Sequence, residues 1–282
     1  MSIACLFPGQ GSQAKGMGAE LFERYPEWTA EADRILGYSI RELCVDDPRN
    51  ELGLTQFTQP ALFVVNALTY RARSEQGAAP PAFLAGHSLG EYNALVAAGV
   101  FDFPTGLRLV QRRGALMGQV SGGGMTAVIG LEPARIEAVL AESEAGRRLD
   151  VANFNSLDQT VIAGPNDDLA AVAPALKAAG GRAIPLKVSA PFHSRYMREP
   201  MAEFSAFLRE FTFAPPAMPV IANLTGLPYD PARLRDTLAD QIANSVRWLD
   251  SVRYLLAQGA TDFEETGPGT VLTRLVGQIR GR

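Results

Sequence analysis

Gly86-His87-Ser88-Leu89-Gly90-Glu91-Tyr92 is the stretch whose reading decides the fold. A G-x-S-x-G run fits a sharp strand-to-helix turn that pushes a serine hydroxyl into the open. Its flanks supply the context: Ala82-Phe83-Leu84-Ala85 after Pro80-Pro81 reads as a short buried strand, and Tyr92 to Ala98 as a helix. Gly86 and Gly90 let the backbone turn without a Cβ clash. Ser88 is therefore the candidate nucleophile. On the pentapeptide alone, a glycine-rich turn whose serine bonds only locally competes with that reading.

A nucleophilic serine needs a base, and the chain holds only two histidines. His87 adjoins the serine, and its side chain is expected to point away from the neighbouring hydroxyl. That leaves His193, in Ser189-Ala190-Pro191-Phe192-His193-Ser194. Its distance along the chain suits a base delivered by another loop, because such pairs are assembled in space.

Composition bounds the rest. The chain has 282 residues, 47% of them hydrophobic and 20% charged, the balance of a globular protein with one large core or a core plus a small domain. Cys5 and Cys44 show neither metal-ligand spacing nor a pairing pattern, so a reducing compartment is expected. The N-terminus is too short and too uncharged before Pro8-Gly9-Gln10 for a secretory signal, and no apolar run approaches a membrane span. The expectation is a cytoplasmic protein. A net charge of −4 argues against nucleic acid as the main partner.

Ile3 to Phe7 reads as a buried strand, followed by a glycine-rich loop and a helix from Ala19. Further helices are predicted at 59–73, with Pro60 in the first turn, and at 104–117, with Asp102 as cap. This alternation predicts an α/β, hydrolase-like domain with a mostly parallel sheet. Ser121-Gly122-Gly123-Gly124 reads as a flexible joint. Beyond it come a strand at 125–129, a helix at 133–145, strands at 149–152 and 160–163, a helix at 167–179 and a strand at 183–186. That order, βαββαβ, is the ferredoxin-like arrangement. The expected organisation is a discontinuous catalytic domain, 1–123 with 191–282, and an inserted small domain, 124–190. The returning chain reads as helices at 200–211, 231–244 and 248–258, strands at 220–223 and 262–265, and a last helix after Gly267-Pro268-Gly269. Function is expected in the cleft between the two domains.

Acyl chemistry at Ser88 needs donors for a developing oxyanion. The N–H of Leu89 is one, and the loop Pro8-Gly9-Gln10-Gly11-Ser12-Gln13 is suited to supply another, unless it is a plain glycine turn. No lysine followed by serine or threonine makes it a phosphate loop. On the helix at 104–117, Arg113 falls in line with Val110 and Met117, whereas Arg112 falls with Arg108 and Gln119 on a polar face. A guanidinium on an apolar face needs an anionic partner: an internal carboxylate or a substrate carboxylate.

The chain resembles the malonyl-CoA:acyl carrier protein transacylases and, more closely, the free-standing trans-acting acyltransferases of modular polyketide synthases. The resemblance covers nearly the whole chain. It rests on Phe7-Pro8-Gly9-Gln10-Gly11-Ser12-Gln13, the Ser88 heptapeptide, Gln111-Arg112-Arg113-Gly114, Ala190-Pro191-Phe192-His193-Ser194, Gln241-Ile242-Ala243-Asn244 and Glu265-Thr266-Gly267-Pro268-Gly269. It implies Ser88 as acyl-accepting nucleophile, His193 as base, the N–H groups of Gln10 and Leu89 as oxyanion hole, and Arg113 as clamp for a malonyl carboxylate. It also implies that a backbone carbonyl, at Gln241, orients the histidine, and that Phe192 is the malonyl-type choice beside the base. Pro191 departs from the family pattern and bears on the loop's shape.

The implied reaction is ping-pong transfer of a malonyl group from malonyl-CoA to the phosphopantetheine thiol of an acidic acyl carrier protein, by a monomer with no metal or redox cofactor. The pathway is polyketide or fatty-acid synthesis. The rivals are an acyl hydrolase of the same fold, disfavoured by Arg113, and a carrier-protein docking module with a spent site. Arg182, Lys187, Arg195 and Arg198 form either a basic docking rim or ordinary solvated charges.

Overall fold

The protein is described by a computed structural model covering residues 2–281. In chain order, β1 (Ile3–Phe7) leads to α1 (Ala19–Arg24), α2 (Pro26–Leu36), α3 (Ile40–Val45) and the long α4 (Thr55–Glu75). Then come β2 (Phe83–Gly86), α5 (Gly90–Ala97) and α6 (Phe103–Gly118). The middle of the chain forms β3 (Gly123–Ile129), α7 (Pro133–Ala141), α8 (Glu144–Arg147), β4 (Asp150–Phe154), β5 (Gln159–Pro165), α9 (Asn166–Ala178) and β6 (Arg182–Pro185). It closes with α10 (Arg198–Leu208), β7 (Val220–Ile221), α11 (Leu234–Asp240), α12 (Trp248–Ala257), β8 (Asp262–Glu265) and α13 (Val271–Arg280).

Two sheets organise these elements. The first is parallel, in the order β7-β2-β1-β8. Strands β1, β2 and β7 are apolar on both faces, as a parallel sheet covered by helices requires, while the edge strand β8 carries Asp262, Glu264 and Glu265. Cys5 and Phe7 of β1 join the core with α4, α5 and α6, while Ala4 and Leu6 pack with Trp248, Leu255, Leu272 and Val276 of α12 and α13. The alternation along one strand thus glues helices to both sides. The second sheet is antiparallel, in the order β4-β5-β3-β6, with α7 and α9 packed on it around Ile136, Val172 and Leu176. This is the βαββαβ arrangement expected between the two parts of the α/β chain.

Local differences have local causes. Pro60 lies inside α4 rather than in its first turn, because the helix already starts at Thr55. Gly123 and Gly124 are no flexible joint: they pair with Pro165 and Gly164 as the first residues of β3. The helix predicted at 133–145 breaks after Ala141, and the Ser143 hydroxyl caps α8 by accepting from the Gly146 N–H. The helix predicted at 231–244 ends at Asp240; there Ile242 and Ala243 donate to carbonyls three residues back, tightening the chain out of the helix. The short α2 and α3 had no sequence expectation.

The ends of the parallel strands gather the site. β1 runs into Pro8-Gly9-Gln10, β2 into the Ser88 turn, β7 toward Asn223 and β8 into Thr266-Gly267. Ligands of open α/β sheets bind at the carboxyl ends of the strands, where these four loops meet.

Candidate active site

Between β2 and α5 the chain makes the elbow that the glycines predict. Ser88 has φ +51°, the left-handed region that a side chain occupies only when its surroundings hold it there. A Cβ on Gly86 would stand 1.9 Å from the Gly90 carbonyl carbon, and one on Gly90 would stand 2.0 Å from the Phe7 carbonyl oxygen. The elbow and the β1 loop are therefore packed backbone against backbone. Asn223 braces the turn: its Oδ1 accepts from the Ser88 N–H at 2.6 Å, and its Nδ2 donates to the Gly86 carbonyl at 2.6 Å.

His193 arrives from the segment after β6, also at positive φ, +57°. Its Nε2 lies 2.7 Å from Ser88 Oγ, and its Nδ1 lies 2.9 Å from the main-chain carbonyl of Gln241. A carbonyl only accepts, so Nδ1 carries the proton and Nε2 is left to accept from the serine hydroxyl. The ring is buried, and burial, reinforced by the Arg113 guanidinium, lowers its pKa from 6.5 to about 3. The imidazole is thus neutral near neutral pH, the form a general base needs. His87 turns away as expected: its Nε2 meets Asn155 Oδ1 at 2.9 Å and its ring packs near Trp248.

Gln10 and Leu89 line the same small cavity as Ser88 and His193. Their main-chain N–H groups donate to no acceptor among the described residues. The β1 loop is fixed from behind by Asn66 of α4, whose Nδ2 donates to the Pro8 carbonyl at 2.9 Å. Phe192, 5% exposed, forms part of the cavity wall with Met117, Met125, Leu186 and Val188. Pro191 packs on β3, where a Cβ on Gly123 would stand 2.8 Å from its ring, so this loop is held by shape.

Arg113 is 1% exposed, on the apolar face of α6 that the helical spacing assigned to it; the Arg112 side chain is 42% exposed and paired with Glu203. Gly114 lets α6 approach α4, since a Cβ there would crowd the Thr55 carbonyl at 3.2 Å. The approach brings Arg113 Nη1 to Gln59 Oε1 at 2.7 Å. Nη2 donates to Gln241 Oε1 at 2.8 Å and to Ser88 Oγ at 3.1 Å, and the guanidinium carbon lies 5.5 Å from the centre of the Tyr92 ring. Every one of these hydrogen-bond acceptors is uncharged. Of the two partners open to a buried guanidinium, an internal carboxylate is therefore not the one it contacts.

Sequence reasoning passed over Glu91. It is 0% exposed and accepts from the Asn223 N–H at 2.9 Å and the Tyr229 hydroxyl at 2.7 Å through Oε1, and from Gln241 Nε2 at 2.7 Å through Oε2. Burial raises its pKa to about 7, against the opposing pull of these donors and of Arg113. Gln59, Asn223 and Asn155 were missed as well; an amide in an apolar run or after a strand carries no spacing signal.

A strained serine elbow, a neutral histidine on its hydroxyl and a buried cation beside it make a site for acyl chemistry on an anionic substrate. Residues 5–278 match the acyl transferase domain family. The chain belongs to that family. Among acyl transferase relatives, it is 53% identical over 277 residues to the polyketide biosynthesis protein ThaF of Burkholderia thailandensis, covering 98% of this chain but 24% of that protein. The chain thus spans about a quarter of that relative's length. It is 49% identical over 280 residues to the polyketide biosynthesis malonyl CoA-acyl carrier protein transacylase PksC of Bacillus subtilis, covering 99% of this chain and 97% of that protein. A crystal structure of malonyl CoA-acyl carrier protein transacylase from Burkholderia pseudomallei superposes with a TM-score of 0.97 at 51% identity, covering 100% of this chain and 99% of that one.

Beside the cavity of this acyl transferase domain, a larger cleft of about 840 Å³ runs from His193 past Asp150, Arg195, Arg198, Asp240 and Asn244. The basic rim expected from sequence does not form as one patch. Arg195 is bound to the Asp150 carboxylate, through Nε at 2.9 Å and also through Nη2. Lys187 follows β6 at the opposite edge of the small sheet from β4, about 14 Å away at three strand spacings. Glu137 and Asp240 also line the cleft, together with Arg147 and Arg198. Among the described residues no helix is long and apolar enough to cross a membrane, and no three His, Cys, Asp or Glu side chains cluster to hold a metal ion.

Proposed function

We propose that this chain moves a malonyl group from malonyl-CoA to the phosphopantetheine thiol of an acyl carrier protein, as a trans-acting acyltransferase of polyketide synthesis. The observation that carries this reading is Arg113: a buried cation whose hydrogen bonds reach only neutral oxygens, 3.1 Å from the hydroxyl that would take the acyl group. A malonyl ester on Ser88 puts its free carboxylate a short reach from the ester carbonyl, where it can replace the hydroxyl on Nη2. Gln59 and Gln241 hold one N–H of each terminal nitrogen, leaving a pair of N–H groups for bidentate contact. The polyketide assignment is supported by the names of ThaF and PksC.

In the first half-reaction, Ser88 Oγ passes its proton to His193 Nε2 and attacks the thioester carbonyl. The Gln10 and Leu89 N–H groups face the oxyanion. Collapse breaks the C–S bond, and the histidine returns the proton to the departing CoA sulfur. In the second half, the carrier thiol gives its proton to His193, its sulfur attacks the malonyl-serine ester, and Ser88 leaves with the proton. The apolar wall of Met117, Met125, Leu186, Val188 and Phe192 keeps the ester from water. Every atom transferred comes from the two thiol partners, so the proposal includes no metal or redox cofactor. We place the protein in the cytoplasm as a monomer, in keeping with its free, buried cysteines.

Intact-protein mass spectrometry after malonyl-CoA addition tests the reading. The wild type should gain a single malonyl adduct that a carrier-protein thiol removes, and Ser88→Ala should gain none. An equal adduct on the alanine variant overturns it.

A further inference from the structure

Gln241 serves two parts of the site through different groups. Its main-chain carbonyl, held by the end of α11 where Gln241 N–H donates to Thr237, faces His193. Its side-chain amide bridges the elbow and the guanidinium: Oε1 accepts from Arg113, while Nε2 donates to the Ser88 carbonyl at 2.8 Å and to Glu91 Oε2 at 2.7 Å. Only one orientation of that amide gives Arg113 an acceptor. The ionised Glu91 carboxylate and the Ser88 carbonyl can only accept, so each takes one of the amide's N–H groups and together they turn the oxygen toward the cation.

We propose that Glu91 is a positioning residue for substrate selection: through its contact with Gln241 it fixes the amide orientation that holds Arg113 ready for an acyl carboxylate. The assignment rests on the reading of Arg113 given above. Glu91 touches neither the acyl group nor the dyad, and its own three donors come from the turn after β7, through Asn223 N–H and Tyr229 O–H, and from the end of α11, through Gln241 Nε2. The charged groups facing it are Arg113, with Tyr229 and Tyr92 as titratable neighbours. Glu91→Gln keeps size and shape but not polarity. Placed one way, its NH₂ faces Gln241 Nε2; placed the other, it faces the Asn223 N–H, which can only donate, and the Tyr229 hydroxyl, which must turn to accept. In the first case Gln241 must turn over and present N–H to Arg113. The main-chain carbonyl at Gln241 is set by the helix end and stays on His193.

The test compares two acylating agents at pH 8, above the value of about 7 to which burial raises Glu91. Malonyl-CoA uses the clamp; p-nitrophenyl acetate, which has no carboxylate, reports only the serine and histidine. For E91Q the KM for malonyl-CoA should rise about tenfold or more, with the rate of acylation by p-nitrophenyl acetate within about threefold of wild type. Equal losses with both agents would mean a general disturbance of the elbow and would overturn the proposal, as would an unchanged malonyl-CoA KM. Tyr229→Phe removes a single hydroxyl and keeps the test open if E91Q does not fold: a several-fold rise in malonyl-CoA KM supports the proposal, and none overturns it. Arg113→Ala, measured alongside, separates two failures. A malonyl-CoA KM unmoved by R113A overturns the reading of Arg113 and this proposal together, whereas one moved by R113A and not by E91Q or Y229F overturns this proposal alone.

Discussion

His193 Nδ1 donates to the main-chain carbonyl of Gln241 across 2.9 Å, in the place where many serine enzymes use a carboxylate. A carbonyl fixes the tautomer and the ring angle without adding a negative charge, so the burial that keeps the imidazole neutral is opposed only by main-chain hydrogen bonds at Gln241 and Asn244. The first prediction follows from this pairing.

His193 should make the protein acid-sensitive. Its pKa is depressed in the folded state to about 3, so the unfolded chain binds the extra proton between pH 6.5 and 3. Its contribution to stability is complete above pH 6.5 and is lost as pH falls, at up to about 1.4 kcal/mol per pH unit. Glu91, raised to about 7, has the opposite sign between its ordinary value of 4.5 and 7, because there the folded state holds the extra proton. Glu91 is common to both proteins when wild type is compared with His193→Gln. Thermal melts from pH 7 to 5 should show the wild-type Tm declining relative to that of the variant, whatever the shared trend; parallel lines would contradict the depressed pKa.

Arg113→Ala should lower kcat/KM for malonyl-CoA by about a hundredfold, the scale of a lost buried charge contact, while acetyl-CoA turnover holds or rises. Arg112→Ala should leave the ratio of the two substrates unchanged, since its partner is Glu203 on α10. Steady-state kinetics with both thioesters decides it, and similar behaviour of the two variants would refute the assignment of Arg113.

Arg147→Gln and Arg198→Gln should each raise the KM for carrier protein a few-fold at low salt and flatten its salt dependence. The effect is kept small by Glu137 and Asp240 in the same cleft. Arg195→Gln should do less, because Asp150 already neutralises that side chain. Carrier kinetics across an ionic-strength series would show it, and an Arg195 effect equal to that of Arg198 would mean that the Asp150 pair opens on docking.

The parts of the site legible in the sequence are those with a strict local geometry. The elbow announces itself because two glycines at fixed spacing are needed where an added Cβ would come within about 2 Å of neighbouring backbone. His193 was found by elimination, and Arg113 by a charge on an apolar helical face. Glu91 meets the same criterion, since Gly90 through Leu95 are all buried in α5. It went unseen because a glutamate one turn after an elbow also reads as a helix N-terminal acid favoured by the dipole. The rim was misjudged because neighbours in sequence, Lys187 and Arg195, lie across the width of a sheet whose strand order the chain reveals only when folded. Pro60 misled for a related reason: proline marks a first turn when a helix stands alone, whereas α4 is enclosed on all sides and tolerates it inside.

The contact between Ser88 and His193 joins residues 105 positions apart, and the Gln241 carbonyl that orients the ring comes 48 positions later still. A ribosome making this chain therefore releases the nucleophile long before the base and its tether. During synthesis the exposed serine elbow has no imidazole to deprotonate it and no Gln241 amide to brace it, so the growing chain is chemically silent toward acyl-CoA. The dyad and its tether are complete only when the last third of the polypeptide has closed over the elbow.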